Sequence, residues 1–297
     1  MKTLLICPSF RFALPQLVEQ NPLAIAPILG ESIVSHWIEH LAGLGARHVQ
    51  VIVADRADQV RTTLGDGARW GVRLEVITVS VEPTPAEAAA KFRPSDAEGW
   101  MAAPHDIVFL NHLPGTPDQS LFASYANWFS ALIAWMPRAL TPARVRVSEI
   151  RPGIWVGRRA HVSPTAQLLA PCWIGDQVFV EPGAVVGPGA IIEDRSVVGE
   201  EAHVVQSWVG PDTFVGPMTS VASSLAWRNT ITNWRSDSSL RVPDPFLLCS
   251  LTPQPVAPRE PFDRMERALV RSAKSPLHWI PAWPVASGST PQQHRST

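Results

Sequence analysis

The sequence has little of what most often announces a function. Its three cysteines, Cys7, Cys172 and Cys249, are scattered with no C-x-x-C spacing. That excludes a zinc-ribbon pattern and predicts a reducing compartment. No 18 apolar residues run together, so no membrane-spanning helix is expected. The apolar stretch at Thr3–Cys7 is too short for a signal peptide, which makes the cytoplasm the expected location. Charged residues make up 17% and sum to −1, with no basic run, so nucleic acid is not an expected partner. Tyrosine occurs once against twelve tryptophans. What is present is a 45% hydrophobic content and 29 prolines, many of them in the tail. A globular chain of 297 residues has room for about two domains.

Over residues 1–150 strand and helix patterns alternate. Strands are expected at Thr3–Cys7, His48–Ala54, Val72–Val79 and Asp106–Asn111. Helices are expected at Glu31–Leu44, where Ile33, Trp37, Leu41 and Leu44 share a face, and at Ala57–Leu64, Pro85–Phe92 and Ser120–Trp135. This order predicts a parallel sheet, whose ligand end lies beyond the strand carboxyl ends near Cys7–Arg11, Ala54–Arg56 and Asn111–Gly115.

From Ile154 the period becomes six. Val156, Val162, Leu168, Ile174, Val180, Val186, Ile192 and Val198 recur at that interval, followed by Val204, Val209, Val215 and Val221 with one five-residue step. Small or medium residues follow four positions later (Ala160, Ala166, Cys172, Val178, Ala184, Ala190, Ser196, Ala202), and Gly, Pro, Asp and Glu fill the corners. Such a hexad places one aliphatic side chain inside a triangular coil. The chain from about Ile154 to Val221 is therefore expected to be a left-handed parallel β-helix of about four coils. Trp155, Trp173 and Trp208 flank inward positions and are expected to pack on the first domain, the tail or another subunit. The corner charges Glu181, Glu193, Asp194, Glu200 and Glu201 are expected to be solvated. Beyond Val221, a strand is expected within Leu240–Leu251 and an amphipathic capping helix at Glu260–Lys274. The Trp279–Trp283 segment would cover the solenoid end or meet a partner, and residues after about Val285 read as disordered.

The order of these parts, together with the segment NPLAIAPILGESIVSHWIEHLAGL (Asn21–Leu44), GARHVQVIVA, DIVFLNHLPG and RPGIWVG, resembles the sugar-1-phosphate nucleotidyltransferases, the NDP-sugar pyrophosphorylases. Pro22, Leu23, Pro27, Gly30, Ile33, Trp37, Ile38, Glu39 and Leu41 sit where that family's pattern wants them. The resemblance implies a fold of class α/β plus β. It comprises a truncated nucleotidyltransferase-like parallel α/β domain (1–150), the β-helix (151–225), and a C-terminal capping segment and tail (226–297). It also implies nucleotide chemistry with Mg²⁺ at the α/β domain, and Arg11, Asn21, Asn111 and His112 as the phosphate-facing residues.

Set against that chemistry, the required parts are missing. There is no glycine before Gly30, so the first loop cannot bring its backbone close to a phosphate. Asn21 takes the place of the family's lysine, and Leu113 that of its metal-binding aspartate, leaving His112 and Asp118 as the nearest substitutes. The α/β domain is also short by the half that holds the sugar site. The expectation is therefore a non-catalytic protein of sugar-nucleotide or polysaccharide metabolism, acting as a regulatory, scaffolding or sensing subunit, with no cofactor and no catalytic residues. Its partners would be a homo-oligomer or a catalytic homologue, with a nucleotide or NDP-sugar as ligand. Two alternatives are an active nucleotidyltransferase with an unusual Mg²⁺ site and a hexapeptide-repeat acyltransferase with His203 or His161 as base. His36 and His40 have the i, i+4 spacing of a helical metal pair, but without a third ligand they read as solvated.

Overall fold

The computed structural model describes residues 1–93, 99–139 and 146–252. The expected helix at Glu260–Lys274, the Trp279–Trp283 segment and the disordered end lie outside the described residues.

The first half is built on a parallel sheet of β1 (Lys2–Ile6), β4 (His48–Val53), β5 (Arg73–Thr78) and β6 (Ile107–Phe109) in the order β5-β4-β1-β6. Between them run α2 (Ile33–Gly43), α3 (Ala57–Leu64) and α4 (Pro85–Phe92). α5 (Tyr125–Trp135) follows the last strand. The helix starts follow their caps: Ser32 Oγ accepts from Ser35 N in α2, and Thr84 and Glu87 form a reciprocal capping box in α4. α5 begins five residues later than the Ser120 start expected from the sequence. Leu121 N donates to Asn111 O at 2.8 Å, tying that stretch to the loop after β6, and Ser124 then caps the helix through Asn127 N. Leu44 ends α2 rather than sharing its apolar face, and is 44% exposed. Two small features had no periodic signal: α1 (Pro15–Gln20), and a hairpin of β2 (Pro27–Ile28) and β3 (Glu31–Ser32).

The hexads form a triangular coil. One face pairs Ile154–Gly157, Cys172–Ile174, Ala190–Ile192, Trp208–Val209 and Ser224–Trp227 in parallel. A second pairs His161–Val162, Phe179–Val180, Val197–Val198 and Thr213–Val215. The third pairs Gln167–Leu168, Val185–Val186, His203–Val205 and Ser220–Ala222. Leu168, Ile174, Val180, Val186, Ile192, Val198, Val204, Val209, Val215 and Val221 fill one core, as the period requires. Each coil turns through left-handed backbone at equivalent corners: Gln177, Arg195 and Asp212 have φ of 57, 60 and 53°. Antiparallel strands extend the first face at both ends: β7 (Val147–Arg151) on one side, and Thr230–Asn233 with Ser238–Arg241 on the other.

The outward residues of that first face make a ladder in register: Trp155, Trp173, Ile191, Trp208 and Leu225. All are buried in the same cluster as the core of the α/β domain. The expected role of the tryptophans is thus realised as packing on the first domain. Within this seam lies Glu193, only 1% exposed. Its carboxylate accepts from Leu29 N and Gly30 N, both at 2.7 Å, and from Trp208 Nε1 at 3.0 Å. Leu29 and Gly30, with φ of 51 and 83°, form the turn between β2 and β3, whose two amides point at one anion. The expectation of a solvated corner charge fails at Glu193. Three other coils carry Gly157, Gly175 and Gly210 at its register and the last carries Trp227, so the carboxylate is particular to this coil. Its neighbour Asp194 is only partly exposed, whereas Glu181, Glu200 and Glu201 are exposed as expected.

Burial, and secondarily the adjacent Asp194, push the Glu193 carboxyl up to about 7, against the pull of its three donors. A raised acid contributes stability that is full below its unfolded value of about 4.5 and is lost as pH rises through about 7. Thermal unfolding should therefore show a fall in stability between pH 5 and 8, and Glu193→Gln should remove most of that slope. In the solenoid, Ile192→Ala should cost about 2–5 kcal/mol in urea unfolding, because a fully buried aliphatic side chain leaves a cavity.

Candidate functional site

Two places bear on the ligands expected from the sequence: the carboxyl end of the parallel sheet, and the second face of the solenoid. At the first, β1 runs into the loop from Cys7 to Leu14. Ser9 donates from N and Oγ to Glu82 Oε2 at 2.8 and 2.7 Å. Arg11 adds Nη1 and Nη2 to Glu82 Oε2 and Oε1 at 2.9 and 2.7 Å. A backbone amide, a hydroxyl and a bidentate guanidinium would make an anion cradle. Here the chain's own carboxylate, from just beyond β5, occupies it. Burial acts to raise the Glu82 carboxyl, but the hydrogen bonds from Arg11 and Ser9 outweigh it and hold the group below the usual range.

Of the residues expected to face a phosphate, Asn111 and His112 line one groove, and Arg11 and Asn21 are not brought to it. Arg11 is engaged by Glu82, and the Asn21 backbone closes α1 through Leu17 O. Asn111 is exposed after β6. His112 lies against Trp37, with ring centroids 5.2 Å apart. No hydrogen bond among the described residues joins these four side chains. Leu113, at the metal-aspartate position, is 0% exposed in the apolar core. Among the described residues no three His, Cys, Asp or Glu side chains converge to hold a metal ion. These residues do not fit a nucleotide with Mg²⁺, and no nucleotidyl-transfer step is derived from them.

The second face of the solenoid is different. Its outward ladder is His161, Phe179, Val197 and Phe214 in register. His161 and Phe179 stack with ring centroids 4.8 Å apart and planes 4° from parallel; Phe179 remains 47% exposed. They line a groove of about 690 Å³ with Arg158, Arg159, Gln177 and Arg195 along one corner and Leu251 at the far side. Asp176 holds Arg159 through Nε at 3.0 Å, and Asp212 holds Arg195 at 2.7 and 2.8 Å, so these two arginines are set in place by the coils beneath them. The hydrogen bond from Arg159 keeps the Asp176 carboxyl below its usual range. The groove thus offers an aromatic shelf, an exposed imidazole and guanidinium groups for an anionic ligand. His203, the other sequence-derived candidate, stands on the third face between Val185 and Ser220, away from this groove. The sequence reading found His161. It missed Phe179 and the arginines, whose 18-residue spacing at Arg159, Gln177 and Arg195 was the available signal.

Comparison with known proteins places the family of bacterial transferase hexapeptides (six repeats) on residues 171–206. The hexapeptide repeat is therefore present in this chain over those residues, within the β-helix. Among solved structures, the acetyltransferase domain of PglB from Neisseria gonorrhoeae FA1090 in complex with acetyl coenzyme A is 13% identical, with a TM-score of 0.16 over 62% of this chain and 98% of that one. A second structure of that domain is 15% identical, with a TM-score of 0.15 over 61% and 88%. At those TM-scores neither carries an argument. No curated protein matches the sequence. The resemblance to nucleotidyltransferases finds no support in the family match. Among the described residues no helix is long and apolar enough to cross a membrane.

Glu82→Gln should lower stability at pH 7 by about 1.5–3 kcal/mol, the usual worth of a hydrogen bond to a charged group. A carboxylate with a depressed value contributes stability above the unfolded 4.5, lost as pH falls through the folded value. The gap between wild type and variant in urea unfolding should therefore close at strongly acid pH.

Proposed function

We propose that this chain is an acyltransferase of the hexapeptide-repeat type, working at the groove on the second face of its β-helix. The observation that carries the proposal is the groove itself: an exposed imidazole, an aromatic shelf and fixed arginines side by side on regular coils. In this reading Arg158 and Arg195 bind the phosphates of an acyl-thioester carrier such as acyl-CoA, and Phe179 takes its flat or apolar part. His161 accepts the proton of an acceptor amine or hydroxyl as that group attacks the thioester carbonyl. The C–S bond breaks and the thiolate takes up a proton as it leaves. The uncovered face around Phe179 supports self-association, and the cytoplasm supplies the carrier.

A second reading, a non-catalytic regulatory or sensing subunit of sugar-nucleotide metabolism, is favoured by one observation: Glu82 sits in the cradle where a phosphate would go. Under the first reading the α/β half is a non-catalytic arm that presents the acceptor.

The test is thiol release from acetyl-CoA and longer acyl-CoAs in the presence of amine and hydroxyl acceptors, including amino sugars. His161→Ala should lower turnover by about 10²–10⁴-fold, the usual contribution of a general base. His203→Ala should leave turnover intact. Absence of acyl-CoA binding, with NDP-sugar bound but not turned over, would replace this proposal with the sensing subunit.

A further inference from the structure

The histidines that the sequence paired are not the pair the fold makes. His36 is buried, its Nε2 2.8 Å from Ile28 O and its ring edge-on to Trp135 at 4.5 Å. His40, one turn along α2, faces outward instead. There its ring meets that of His105, from the turn before β6, at a centroid separation of 5.8 Å and an interplanar angle of 52°. The two rings line a groove of about 680 Å³, together with Trp37, Pro104, Phe109 and His112. Both imidazoles are only partly exposed, and among the described residues neither ring hydrogen-bonds to a protein acceptor. Two imidazoles brought to the same space from distant points of the chain, with no protein partner for their nitrogens, are an arrangement that a ligand would complete.

The geometry points to a binding site for a borderline divalent transition metal, of the Zn²⁺ or Cu²⁺ class, chelated by His40 and His105. The separation suits one ion. Metal–nitrogen bonds of about 2.0–2.1 Å put two rings on a tetrahedral centre at a comparable centroid distance. Imidazole selects this class of metal over Mg²⁺ or Ca²⁺, which prefer oxygen. No three ligating side chains converge among the described residues, so water would fill the remaining positions, open to the groove. His112 lines the same groove, its ring against Trp37 and its Nδ1 3.0 Å from Leu113 O, and is not counted among the ligands. Burial, and then the neighbouring His105, lower the value of His40. This site is separate from the β-helix groove and holds whether or not acyl transfer does.

The experiment is calorimetric titration of untagged full-length protein with ZnCl₂ at pH 7.5, repeated with MgCl₂ and with ZnCl₂ at pH 5.5. One Zn²⁺ per chain should bind, Mg²⁺ should not, and affinity should fall at least about tenfold at pH 5.5 as protons compete for the ligands. Removing one of the two ligands in His40→Gln or His105→Gln should weaken binding by about tenfold or more, whereas His161→Gln should not change it. Zn²⁺ should also raise the Tm of wild type and not of these two variants, whose near-ultraviolet circular dichroism shows whether they are folded. His105→Gln lies on a surface turn and serves if His40→Gln does not fold. No saturable Zn²⁺ binding by wild type, or binding unchanged in folded His105→Gln, would overturn the site.

Discussion

The carboxylate of Glu193 is the contact on which the two halves depend. It leaves the solenoid at a register where three other coils carry glycine, and accepts both amides of the Leu29–Gly30 turn and the indole N–H of Trp208. Around it the ladder Trp155, Trp173, Ile191, Trp208 and Leu225 excludes water over one whole face of the coil. A buried acid without its donors leaves an uncompensated polar group, so the turn and the corner specify one another. The apolar ladder supplies the driving force for docking, and the carboxylate supplies its register.

That docking distributes the remaining surfaces. With the first face covered by the α/β domain, the chemistry available to the solenoid lies on its other two faces. Only the second combines an imidazole with an aromatic shelf and guanidinium groups. The carboxyl end of the α/β sheet, where a parallel sheet usually binds its ligand, is closed by Glu82 gripping Ser9 and Arg11. The seam and the sheet end thus both use acids to satisfy loop amides. Glu193 is buried and pushed up, whereas Glu82 is partly solvated and held down by a guanidinium. The difference lies first in burial, which is complete at Glu193 and partial at Glu82, then in the charges nearby, Asp194 at the one and the Arg11 guanidinium at the other.

Much of the architecture could be read directly from the chain. A period of six with one five-residue step is a strong constraint, because each hexad sends one side chain inward, and that series is the solenoid core. The parallel strands and α3 and α4 were legible for the same reason, since local periodicity, and in α4 a capping box, decide them. The site contacts were not. Glu82 reaches Ser9 across 73 residues, and His105 reaches His40 across a comparable distance, and no local pattern reports such pairs. Glu193 was read as solvated because corner charges usually are; the signal against it was the glycine at the matching position of its neighbours. His36 and His40 were both read as solvated, and that fails at His36 because α2 buries it under Trp135.

The central claim is that acyl-carrier binding belongs to the β-helix groove and that the α/β sheet end holds no nucleotide. The most direct test is paired calorimetry on the full-length protein, titrating acetyl-CoA in one series and nucleoside triphosphates with Mg²⁺ in the other. The account predicts saturable binding of acetyl-CoA that Arg195→Ala weakens, and no saturable binding of the triphosphates. Tight Mg²⁺-dependent triphosphate binding together with no response to acetyl-CoA would contradict it.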